Sequence, residues 1–163
     1  MIRLAILACV CLVGCGTPGR PMENTLLPSD IDILTGGPWV GTLTYLDYSS
    51  GKSVTIDSSL SVRRVAEASW EFGVGYSKEP HADSKEVVTL AAGMLGGDRV
   101  VSRRELPGGG VVVVTESAGE DDHRAALFRF EHSITALEYS RRKMVRLDGE
   151  REFIERHVYR WKR

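Results

Sequence analysis

From Trp39 onward the apolar residues of this chain recur at every second position, and that period commits it to β structure. Trp39, Leu43 and Tyr45 alternate with more polar neighbours, as do Val54, Ile56, Leu60 and Val62, and then Trp70, Phe72, Val74 and Tyr76. Successive side chains of a strand point to opposite faces, so each set marks a half-buried strand. Further β-type runs cover 87–90, 99–106, 111–116, 125–130, 134–140, 143–147 and 153–161. Turn-forming residues punctuate them at Ser49-Ser50-Gly51-Lys52, Gly96-Gly97-Asp98, Pro107–Gly110, Gly119–Asp122 and Leu147-Asp148-Gly149. Many short strands at roughly 8–12-residue spacing make a sandwich or a barrel. No segment of helical period exceeds two turns. The exception in kind is Ser29-Asp30-Ile31-Asp32, with Ser29 as N-cap and an acid three residues on. There Ile31 and Leu34 face one way, either to plug an open barrel end or as an ordered lead-in to the first strand.

The first residues follow a different logic. Arg3 is the one early charge, and Leu4–Val13 is an unbroken apolar run. A charged start followed by a short apolar stretch is the layout of a secretory signal, and the run is too short to cross a bilayer, which takes about 20 apolar residues. Leu12-Val13-Gly14-Cys15 then resembles the lipobox of bacterial lipoproteins. The resemblance implies that residues 1–14 are removed and that Cys15 carries a diacylglyceryl group and an acylated amine of the palmitate type. Several acyl chains hold stably, each buried methylene contributing about 0.8 kcal/mol. Gly16 stands where an Asp would mark inner-membrane retention, so the resemblance implies the outer membrane of the cell envelope. Residues 16–28 hold three prolines and two glycines, so residues 15–28 read as a lipidated, flexible tether, leaving 29–163 as the domain.

The remaining cysteines, Cys9 and Cys11, lie inside the signal. A processed chain therefore has no free thiol, which excludes thiol catalysis, disulfides and Cys-ligated metal. Cleavage also takes away just one of the 21 basic residues and none of the 22 acids. With charge so balanced, nucleic acid is not an expected partner.

Gly37-Pro38-Trp39 sits at the start of the first strand, after the short helical turn, and the last strand carries Arg156, Arg160 and Arg163. This arrangement is similar to the lipocalin superfamily (the calycins), whose first strand carries Gly-x-Trp and whose Trp packs on an Arg from near the chain end. The resemblance implies a single antiparallel up-and-down barrel of about 8–10 strands enclosing a small apolar ligand. It implies structural roles for Gly37, for Trp39, and for Arg156 or Arg160. The inward aromatics Tyr45, Trp70, Phe72 and Tyr76 become candidate ligand-lining residues.

Chemistry beyond binding finds little footing. No nucleophile elbow, P-loop or dinucleotide fingerprint is present, and no enzyme activity, cofactor or metal is expected. Asp121-Asp122-His123 is the densest polar cluster, but acids are common in such hairpin turns for backbone reasons. His157 faces inward if Phe153, Tyr159 and Trp161 do, and outward if Ile154 and Val158 do; the sequence leaves both open. The late basic run Arg141-Arg142-Lys143, Arg146 and Arg151 reads as a charged exterior balanced by Glu138, Glu150, Glu152 and Glu155. Two roles follow: a membrane-anchored barrel holding a small apolar or amphipathic ligand, or an envelope interaction protein with a packed barrel and no ligand.

Overall fold

A computed structural model describes residues 25–163, so the expected signal segment and Cys15 lie outside the described residues. The alternating runs assemble as one closed antiparallel barrel of ten strands, each paired with its neighbour in sequence and the last with the first. They are β1 (Gly36–Asp47), β2 (Lys52–Ala66), β3 (Ser69–Gly75), β4 (Ser84–Ala91), β5 (Met94–Leu95), β6 (Asp98–Glu105), β7 (Val111–Asp121), β8 (Arg124–Ile134), β9 (Glu138–Leu147) and β10 (Ile154–Lys162). Closure leaves no free outer edge between β1 and β10, the device by which such barrels avoid edge-to-edge association.

Two departures from the sequence expectation have local causes. The run 134–140 is not a strand of its own. Ile134 ends β8, and the chain reverses at Thr135–Leu137 without Gly or Pro. The Thr135 hydroxyl makes that turn, accepting from the Leu137 and Glu138 amides (3.3 and 2.9 Å) and donating to the Glu138 carbonyl (3.0 Å). The second departure is β5, whose two residues are too few to show a period. The β7–β8 hairpin turns on Asp122 (φ 51°) and His123 (φ 59°), the two left-handed positions of a type I′ turn.

One end of the barrel is plugged by a single helical turn, α1 (Pro28–Asp32). Its N-cap is Leu27, not Ser29. Pro28 takes the first helical position, where its missing N–H costs nothing, and Asp30, third in the helix, accepts from the Leu27 amide (2.9 Å). Asp32 is thereby free of capping and receives the Trp70 indole N–H and an Arg64 N–H, each at 2.8 Å. Asp30 is also gripped by Arg103, which donates from Nε (2.8 Å) and Nη2 (2.9 Å), a two-pronged pairing in which neither side chain is more than 14 % exposed. Ile31 and Leu34 pack into the barrel core with Trp39, Leu60, Val62, Trp70, Val113 and Trp161.

Trp39 is fully buried and donates its indole N–H to the Leu34 carbonyl (2.9 Å). Gly37 lies just before it, in the irregular first step of the β1–β2 register. The arginine over the Trp39 ring is Arg163, at 4.1 Å, which also donates to the carbonyls of Ile33 and Thr35. Neither Arg156 nor Arg160 reaches it. The register Val40↔Lys162 sets the end of β10 beside the start of β1, so only the residue after the strand can fold over Trp39. Gly41 is indispensable here, since a Cβ on it would stand 1.8 Å from the Arg160 carbonyl oxygen.

Candidate functional site

The end opposite α1 is open. A cavity of about 760 Å³ enters there between the β1–β2 turn, the segment after β3, the end of β7 and the start of β10. Leu43, Tyr45 and Ile56 form its apolar side, and Tyr76 stands across from them. The Tyr76 hydroxyl meets that of Tyr159 at 2.6 Å, a bond from β10 to the end of β3. On the far side of this tyrosine pair lies a second space of about 60 Å³, lined by Phe72, Glu86, His132, Tyr139 and Arg141 among others.

The four aromatics singled out in the sequence separate along the barrel axis. Tyr45 and Tyr76 line the open cavity, whereas Trp70 is fully buried against α1 and Phe72 borders the smaller space. β3 starts at the plugged end and finishes at the open one, so its inward residues cannot share one cavity.

The last strand resolves its own ambiguity. His157, Tyr159 and Trp161 pair with Lys143, Arg141 and Tyr139 of β9 on the inward face. Their rings continue a stack: Tyr139 on Trp161 at 5.3 Å, Trp161 on Tyr159 at 4.7 Å, and Tyr159 edge-on to His157 at 5.5 Å. A bulge between Glu155 and His157 removes Arg156 from the ladder. Two consecutive residues, Arg156 and His157, thus line the same cavity.

The polar lining sets Lys143 and Arg156 beside Asp47, Glu79 and Asp121. Arg156 pairs with Asp121 and lies over the Tyr48 ring at 4.3 Å. Its side chain is only 10 % exposed, and its Nε–H has no hydrogen-bond partner among the described residues. Lys143 rests its ammonium on the face of Phe128 at 4.0 Å. Partial burial lowers its pKa from the usual lysine value. No carboxylate of the described residues forms an ion pair with Lys143. Burial, reinforced by Arg141 and Lys143, pushes the His157 pKa down to about 4, so its imidazole is neutral at physiological pH. Deeper in, Arg141 reaches across the lumen to Glu86 of β4 at 3.3 Å. Asp121 is therefore committed to Arg156, and His123 turns away, 96 % exposed beside Glu120. Among the described residues no three His, Cys, Asp or Glu side chains gather as metal ligands.

Sequence reasoning passed over Lys143, which sits in a basic run that reads as exterior; Arg156 was expected to pack on Trp39 and lines this cavity instead. The signal was the alternation Tyr139, Arg141, Lys143, Val145, in which two cations share a face with buried residues.

No protein-family model matches this chain, and no curated protein matches it either.

Proposed function

We propose that this barrel is a receptor for a small amphipathic molecule, taken up at its open end. The carrying observation is the cavity of about 760 Å³, a size ordinary for small-molecule sites, whose lining mixes aliphatic and aromatic side chains with a few polar groups. The core near α1 is packed, so the ligand occupies the open half of the barrel and does not thread it. The role proposed is binding without chemistry, and no cofactor enters it.

Anchoring through Cys15 to the envelope, at the outer membrane, is part of the same proposal and rests on the lipobox resemblance. It supplies the reason for a tether, since a receptor held on a leash samples the space beside the membrane.

Binding is tested with the uncharged fluorescent reporter N-phenyl-1-naphthylamine added to the full chain. Saturable enhancement at one reporter per barrel is expected, abolished in Ile56→Trp, whose indole fills the apolar side. Enhancement that is absent, or unaffected by Ile56→Trp, overturns the reading in favour of a barrel that serves only as an envelope interaction surface.

A further inference from the structure

We infer that the open cavity selects amphipaths whose head carries a single negative charge, and that Lys143 is the residue that reads it. The inference rests on the receptor reading above and adds the chemical class of the ligand.

Four titratable groups converge where β10 departs from regular pairing: Lys143, Arg156, His157 and Asp121. Arg156 and Asp121 neutralise each other. His157 is neutral. Arg141, one step deeper, is matched by Glu86. Asp47 stays anionic at the rim, its charge stabilised by the Ser50 and Ser49 hydroxyls (2.6 and 2.8 Å). Glu79 is exposed at the mouth, where water and salt screen it. Of the cations lining the cavity, Lys143 is the one with no ion-pair partner among the described residues; Asp121 and Asp98 act on it only at longer range.

That charge is held in an unusual way. A half-buried ammonium ordinarily finds a carboxylate; this one rests on the rings of Phe128 and Phe130 (4.0 and 5.9 Å). Arg156 lines the same space with its guanidinium already turned to Asp121. A cation without an ion-pair partner, lining a cavity, is what a monoanionic head would complete. Leu43 and Ile56 in the same lining give its apolar body a place to lie. A doubly charged head is disfavoured, because the second charge would meet no cation that is not already paired.

The test displaces bound N-phenyl-1-naphthylamine from the full chain at pH 8 with three compounds of equal chain length: octanoate, 1-octanol and octyltrimethylammonium. Octanoate is expected to displace at concentrations at least tenfold below octanol, with the ammonium compound weakest. Lys143→Met should bring octanoate and octanol within threefold of each other while still binding the reporter, and Lys143→Arg should keep the preference. Octanol matching octanoate on the unaltered chain overturns the inference, as does a preference that survives Lys143→Met. Displacement by none of the three overturns it too. In each case an intact reporter signal leaves the receptor reading standing. Should Lys143→Met fail to fold, the three-compound comparison on the unaltered chain decides alone.

Discussion

His132 makes this barrel acid-sensitive in a way that can be calculated. It points inward from β8 opposite Val113, is buried, and its Nδ1 lies 3.0 Å from the Tyr139 hydroxyl. Burial, with Arg141 as a second cause, pushes its pKa down to about 3. In the unfolded chain an imidazole takes its proton near pH 6.5. Between these values the unfolded state binds a proton that the folded state refuses, so stability falls as the pH falls. At pH 5 the unfolded imidazole is favoured by 1.5 pH units' worth of protonation, or roughly 2 kcal/mol at 1.36 kcal/mol per unit. At pH 7.5 the same effect is close to zero. His157 acts with the same sign, its folded value of about 4 weakened by its partial exposure, and it is common to both proteins in the comparison that follows. Urea unfolding of the parent chain and of His132→Gln at pH 7.5 and 5.0 isolates the His132 contribution. The parent should lose about 2 kcal/mol more than the variant over this interval. Equal losses in the two proteins, or an NMR titration placing His132 of the folded chain near pH 6.5, would refute the argument.

Other outcomes follow from the plug and the closure. Arg103→Ala strands the buried Asp30 carboxylate and should cost about 3–5 kcal/mol by denaturant midpoint, whereas Asp30→Leu with Arg103→Met should recover most of it. Leu34→Ala opens a hole beneath α1 and should cost about 2–5 kcal/mol. Gly41→Ala drives a methyl into the backbone of β10 and should cost about 3 kcal/mol or more, read as loss of the near-ultraviolet signal of the buried tryptophans. Cys15→Ser should release the protein into the soluble fraction or leave it unprocessed; a variant that is cleaved at the same place and stays on membranes counts against lipidation.

The barrel was legible because half-buried antiparallel strands write their period directly into the chain, and Trp39 to Tyr76 do so with large residues. What escaped was decided by register. Thr135 turns the chain with a hydroxyl, and hydroxyls occur everywhere in strands, so β8 and β9 were divided at the wrong place. Arg163 rather than Arg156 or Arg160 covers Trp39 because β10 stops one residue short of it. Tyr45 and Tyr76 were foreseen at a cavity, but Trp70 and Phe72 were grouped with them, since alternation reports which face a residue takes and not its height along the axis. Lys143 and Arg156 became visible only once the β9–β10 pairing and its bulge fixed which cations turn inward.

The pairing of β1 with β10 also decides how this molecule can be presented. Thr25 leads into α1 and Arg163 lies over Trp39, so both ends of the described chain emerge at the plugged pole. The cavity opens at the other pole, a strand length away, on the order of 25 Å for strands tilted in a small barrel. A pull at either end of the described chain is therefore taken up at the sealed base and not at the mouth.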